Sequence, residues 1–169
     1  MAKKKPTKVK SKTINKKSKP IKVLVAHDNR LGPSTTKAHK FAEKISKDPN
    51  FKTILDKEYW NPMEKTSKTE TNRRETEMVK KSNLIVRIIP APSKTGQPRH
   101  EGAKSEVLKA MRASKPVLEI YERGARDSPN KPVSQKNYGK KVEVHIKEGE
   151  TLEKAFKTGI KILKKKGLL

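Results

Sequence analysis

Leu84-Ile85-Val86-Arg87-Ile88-Ile89, then Gly102-Ala103-Lys104-Ser105-Glu106-Val107, then Ser114-Lys115-Pro116-Val117-Leu118. These three pieces, in this order, decide how the chain reads. The first is a short apolar run, which between polar flanks reads as a buried strand. The second opens an amphipathic stretch that predicts a helix over 105–113. In the third, a proline ends the helical pattern and an apolar run predicts a strand over 117–121. The order is therefore strand, glycine-containing loop, acid on the first turn of a helix, strand. An acid so placed projects into the crevice at the carboxyl ends of the strands, where open α/β sheets bind ligands. Glu106 reads as a catalytic carboxylate on that ground.

The same alternation continues on both sides. Ile21-Lys22-Val23-Leu24-Val25-Ala26 reads as a strand, followed by a loop over 27–33 that Gly32-Pro33 breaks. Ser34-Thr35-Thr36 offers N-caps for a helix with Ala38, Phe41, Ala42 and Ile45 inward. Asp48-Pro49-Asn50 ends that helix, 51–55 is a short strand, and 59–71 is a polar loop. Residues 72–82 read as a helix with Met78 and Val79 inward, and 90–102 as a loop. A long polar connection covers 122–138. A fifth strand is expected over 142–146 and a closing helix over 151–166, with Leu152, Ala155, Phe156, Ile160 and Leu163 on one face. Strands alternating with helices imply crossover connections in one sheet. The expected fold is α/β, a flavodoxin-like (Rossmann-like), doubly wound, mostly parallel five-stranded sheet with helices on both faces, occupying residues 21–169.

Composition narrows the partners. In 169 residues, 43 Lys and Arg against 18 Asp and Glu leave a formal charge of +25. That excess favours polyanions or small phosphorylated ligands. Aromatics make up 4% of the chain, which argues against a stacking platform for single strands. There is no cysteine, so thiolate catalysis, disulfides and Cys-based zinc sites are excluded. No apolar run reaches membrane-spanning length, and the basic N-terminus has no apolar core after it, so neither a membrane segment nor a secretory signal is expected. The expected location is cytoplasmic. Residues 1–20 are lysine-rich and acid-free. Such a segment cannot bury enough apolar surface to offset its ordering entropy, so it is expected to be a disordered tail. Its functional reading is a tether to nucleic acid, and its bland reading is a solubilising tail.

Two further acids accompany Glu106. Glu75 lies on the helix before the central strand, and Asp28 follows the first strand. In a doubly wound sheet the ends of the first and third strands are neighbours, so the three carboxylates are expected to line one crevice. Two carboxylates flanking an anomeric carbon form a working unit, in which one attacks the carbon and the other assists the leaving group and then water. Each acid also has a structural reading. Glu106 suits a helix macrodipole, Glu75 suits an exposed ion pair with nearby lysines, and Asp28 suits a loop cap.

From Glu106 onward, Glu-Val-Leu-Lys-Ala-Met-Arg-Ala-Ser-Lys-Pro-Val resembles the Glu-Leu-Gly-Tyr-Ala-(x)3-Gly-Lys-Pro-Val stretch of nucleoside 2-deoxyribosyltransferases and of the related 2'-deoxynucleoside 5'-phosphate N-hydrolases. Gly102 precedes the Glu at the matching distance. The run Arg74-Glu75-Thr76-Glu77-Met78-Val79-Lys80-Lys81-Ser82-Asn83-Leu84-Ile85-Val86 is similar to that family's acid, spacer and Ala-Asp-Val-Val run. The resemblance spans roughly residues 21–163 and is specific over 72–121. It implies hydrolysis or transfer at the N-glycosidic bond of a nucleoside or nucleoside 5'-monophosphate. Glu106 would be the nucleophile and Glu75 the assistant. His27, Asp28, Gly102, Ala103 and Ser34 would lie against substrate. Arg30, Lys94 and Arg99 are further candidates for a phosphate. It implies no cofactor, no metal and a homo-oligomer. Three departures stand out: Ala26-His27-Asp28-Asn29 replaces Ala-Gly-Pro, residues 93–101 lengthen the loop, and Ala103 replaces a Thr.

Two other readings compete. The fold could serve as a non-enzymatic nucleic-acid- or ribonucleoprotein-binding module through its basic tail and loops. A Toll/interleukin-receptor-like NAD-cleaving domain shares the sheet order, but its aromatic-rich strand and loop signatures are absent here.

Overall fold

The computed structural model describes residues 19–26, 33–54, 67–92, 101–125 and 138–169, and only the backbone of 33–36 and 101–104. Among the described residues five strands and four helices alternate, except that the last two strands follow one another with no helix described between them. They are β1 (Ile21–Ala26), α1 (Pro33–Ser46), β2 (Phe51–Ile54), α2 (Lys68–Lys81), β3 (Leu84–Ile89), α3 (Glu101–Arg112), β4 (Val117–Tyr121), β5 (Lys141–His145) and α4 (Leu152–Lys165). The strands form one sheet in the order β2-β1-β3-β4-β5, and every neighbouring pair is parallel. This is the flavodoxin-like order, with its switch point between β1 and β3.

A parallel sheet covered on both faces needs strands that are apolar on both sides. β3 and β4 are buried throughout. On one face, Val23, Val25, Leu84, Val86, Leu118, Ile120, Val142 and Val144 pack against Phe41 and Ala42 of α1 and Ala155, Phe156, Ile160 and Leu163 of α4. Phe156 meets Phe41 and Phe51 edge to face, at centroid distances of 5.5 and 5.0 Å, a favoured aromatic geometry. On the other face, Leu24, Ala26, Ile85 and Val117 pack against Met78 and Val79 of α2 and Val107 and Ala110 of α3. That second cluster is smaller, because charged residues share its space.

The anticipated inward positions of α1 and α4 are buried as expected, except Leu152, which is only partly so. Several boundaries differ. α2 begins at Lys68, so 68–71 are helical where a loop was expected. Ser67 caps it by accepting from the Glu70 N–H at 3.2 Å, within a Ser-x-x-Glu capping pattern. α1 begins at Pro33, so Ser34–Thr36 occupy its first turn rather than preceding it, and proline suits that position because its missing N–H has no helical partner. α3 begins at Glu101. Gly102 and Ala103 are therefore inside the helix, and Glu106 sits on its second turn, not its first.

The exit from α3 explains another residue. Ser114 has φ of 52°, and the Lys115 N–H donates to the Ala110 carbonyl at 2.9 Å. A left-handed residue closing a helix is the usual job of glycine, and the resembling motif has glycine at this point. Lys115 then reaches the Ser82 and Lys80 carbonyls, at 2.8 and 3.2 Å, at the carboxyl end of α2. As expected, Lys115-Pro116 shapes the entry to β4 at the amino-terminal edge of the sheet.

Gly159 lies where α4 crosses β4. A Cβ there would come within 2.6 Å of the Leu118 Cδ2, and Leu118 is fully buried. Alanine has the better helix propensity by about 1 kcal/mol, but the overlap outweighs it. Gly159→Ala is expected to destabilise by about 1–3 kcal/mol in urea unfolding. A second expectation concerns acid. Hydrogen bonds from Arg73 and then Arg74 hold the Glu70 carboxyl at about 2, below its ordinary 4.5. This group's stabilisation is complete above the unfolded value and drains as pH falls from there through the folded one. The melting temperature of Glu70→Gln should fall less than that of the wild type between about pH 5 and about pH 2, by a small margin because the network is exposed.

Candidate active site

The face under α2 and α3 is where charge is buried. In register across the sheet stand Ala26, Arg87, Glu119 and Glu143. Side chains alternate along a strand, so Arg87 points to the same side as Ile85, whose packing is with α2 and α3. Arg87 is 1% exposed and Glu119 is 0% exposed. Arg87 Nη1 donates to Glu119 Oε1 at 2.9 Å. The other oxygen, Glu119 Oε2, accepts from the Tyr121 hydroxyl at 3.3 Å and faces Lys141 Nζ at 3.3 Å. Tyr121 stacks on His145, with ring centroids 4.6 Å apart. Both carboxylate oxygens of Glu119 are thus engaged, as a charge removed from water requires.

Glu106 is 1% exposed. It lies one turn before Ala110 and next to Val107, both packed onto the sheet, so it occupies the sheet-facing side of α3. α3 starts beyond the carboxyl end of β3, which puts its early turns over the carboxyl half of the strands. The acid is not in bulk water.

Glu75 is 4% exposed, on the inner side of α2. Its Oε2 accepts from Ser105 Oγ at 3.1 Å and is paired with Lys109 Nζ. Lys109 also donates to Asn72 Oδ1 at 3.2 Å. The exposed lysine pairing weighed for Glu75 is therefore replaced by a partly buried one across the helix interface. Ser105 directly precedes Glu106, and Lys109 is one turn beyond it, so Glu75 is fastened to α3 on both sides of Glu106.

A further acid, Glu122, has no signal in the sequence reading. Glu122 follows β4, where Oε2 accepts from the Ala91 N–H at 3.0 Å and Oε1 pairs with Lys37 of α1. It ties together the chain leaving β3, the chain leaving β4 and the start of α1, all at the carboxyl edge. The buried Arg87–Glu119 pair was missed too. Its signal was a charged residue within each of two apolar runs, since a charge in a central strand demands a partner.

Of the other expected substrate-side residues, His27, Asp28, Arg30, Lys94 and Arg99 lie outside the described residues, as does the side chain of Ser34. Gly102 and Ala103 are placed as backbone in the first turn of α3. Among the described residues no group of three or more His, Asp or Glu is arranged to hold a metal. Among the same residues no helix is long and apolar enough to cross a membrane.

The all-parallel sheet and its strand order give this chain a nucleoside 2-deoxyribosyltransferase-like fold. The chain is similar to the 2-deoxyribosyltransferase of the psychrotolerant bacterium Bacillus psychrosaccharolyticus, with a TM-score of 0.51 and 14% identity over 79% of this chain and 95% of that one. It is also similar to the CMP N-glycosidase BcmB of Clostridium botulinum, with a TM-score of 0.48 and 14% identity over 81% of this chain and 98% of that one. No protein-family model and no curated protein matches the sequence.

The ion pair is testable. Arg87→Met leaves Glu119 buried with one cation fewer and is expected to cost about 3–5 kcal/mol, nearer the lower figure because Lys141 remains. Arg87→Met combined with Glu119→Leu should recover much of that loss in a denaturant double-mutant cycle.

Proposed function

We propose that this chain cleaves or exchanges the N-glycosidic bond of a nucleoside or nucleoside 5'-monophosphate, with Glu106 as the nucleophile. The observation that carries this reading is a carboxylate buried on the sheet-facing side of α3, over the carboxyl edge of a parallel sheet. Carboxylates are seldom fully buried in folded proteins. The helix-macrodipole explanation weakens, because that effect falls off within the first turn and Glu106 is on the second.

The chemistry would run in two displacements. One oxygen of Glu106 bonds to the sugar C1' as the C1'–N bond breaks, and the base departs with the electron pair. Water, or a second base, then attacks C1' and frees the carboxylate. Negative charge beside C1' stabilises the oxocarbenium-like transition state. Glu75 is the assisting acid in this reading. Its pairing with Ser105 and Lys109 supports a share in orienting α3, because it grips the turn on which Glu106 stands. Asp28 would contact sugar or water from the β1 side, completed by His27, Ser34, Gly102 and Ala103. Arg30, Lys94 and Arg99 would meet a 5'-phosphate where one is present. A homo-oligomer, with a neighbour completing the pocket, belongs to the same reading.

The test is incubation with a panel of nucleosides and 5'-monophosphates, with free base followed by chromatography. Base release is expected from at least one substrate, and Glu106→Ala should lower it by roughly 10³-fold or more, as loss of a nucleophile commonly does. The reading fails if no substrate releases base, or if the variant releases it equally well.

A further inference from the structure

The opposite face of the sheet carries a different chemical character. On α4, Lys154, Lys157, Lys161, Lys164 and Lys165 are all exposed. Their spacing of three to four residues lines most of them along one side of the helix, and eleven residues of helix span about 16 Å. Beside α4 runs α1, whose Lys37, Lys40 and Lys44 are also exposed. The two helices meet through the Phe41–Phe156 contact and the ion pair from Lys44 to Glu153 at 2.7 Å. An open groove of about 560 Å³ lies between them. Together α1 and α4 hold eight lysines and two glutamates, Glu43 and Glu153.

α2, on the other face, is built differently. Two of its five cations are matched by acids on the same helix: Arg73 pairs with Glu70 and Glu77, and Arg74 pairs with Glu70. Among the described residues, no ion pair joins an α4 lysine to an acid of its own helix. Repelling charges held in a row work against the fold, so an external polyanion is the natural partner of this surface.

We infer that the α1–α4 face is a docking surface for the phosphate backbone of duplex DNA. Ammonium groups are point charges suited to phosphate oxygens. Single strands are better served by exposed aromatic platforms, and here Phe41 and Phe156 are buried. Duplex RNA is recognised through its 2'-hydroxyls as well as its phosphates, and the one hydroxyl on the exposed ridge of α4, Thr158, is turned back onto the Lys154 carbonyl at 3.1 Å. The inference does not depend on the glycosidic reading, because this face is across the sheet from Glu106.

The experiment is fluorescence anisotropy of the full chain with a labelled DNA duplex of about 30 base pairs across a salt series. Two variants are matched in charge. One replaces Lys157, Lys161 and Lys164 with Gln, and the other replaces Lys68, Lys80 and Lys81 with Gln on the α2 side. The α4 variant should bind at least about tenfold more weakly near 0.1 M salt, and its slope of log affinity against log salt should shrink by about 3. The α2 variant should stay within about threefold of the wild type. All six lysines are exposed, and circular dichroism of both variants should match the wild type. Base release from nucleosides should be unchanged in the α4 variant, so failure here is distinct from failure of the catalytic proposal. Equal losses in both variants, no binding of duplex DNA by the full chain, or preference for duplex RNA or single-stranded DNA would each overturn the assignment.

Discussion

A guanidinium and a carboxylate held out of water between the two central strands set the terms for everything built on that face. Arg87 and Glu119 are almost fully buried and bonded at 2.9 Å. A lone charge in that position would be strongly destabilising, and even a paired one contributes less than good apolar packing. The sheet therefore divides its tasks. The α1–α4 side carries the larger apolar cluster, with its three phenylalanines in contact. The α2–α3 side has fewer apolar residues and a chain of buried polar groups from Lys141 through Glu119 to Arg87, with Glu106 and Glu75 on the helices above.

The division also sets how α3 is held. Its inner side offers little more than Val107 and Ala110 to the core. Much of its lateral grip is polar, through Ser105 and Lys109 onto Glu75. Hydrogen bonds to a charged group are stronger and more directional than apolar contact. They fix the rotation of the helix about its axis, which is the variable that decides where Glu106 points. A helix secured by packing alone would tolerate small slides that these directional bonds resist.

Much of this could be read from the chain. Both strands quoted at the outset, Leu84–Ile89 and Val117–Tyr121, fall where expected because short apolar runs bounded by breakers have few alternatives. The parallel order follows from the alternation of elements. What escaped notice was the charge inside those runs. Arg87 and Glu119 look like interruptions when each strand is taken alone, and become a pair only when the register places them opposite each other. Glu122 escaped for a similar reason, since its partners Ala91 and Lys37 are distant in sequence and share only the carboxyl edge. The start of α2 has its own signal in Ser67-Lys68-Thr69-Glu70, a capping pattern ahead of a helix with a weak apolar stripe. Gly102 reads from sequence as a loop residue because glycine is a poor helix former, yet the backbone helix continues through it.

The lysines complete the argument about the two faces. With a net charge of +25, self-repulsion is unavoidable, and its distribution decides whether the compact state survives. On the α2–α3 side, carboxylates are either buried in the polar network or laddered along α2. α4 has one glutamate among five lysines. Its stability must come from the opposite side of the same helix, and Ala155, Phe156, Gly159, Ile160 and Leu163 are all buried there. Gly159 lets this heavily charged helix approach Leu118 of β4 closely, where a Cβ would not fit.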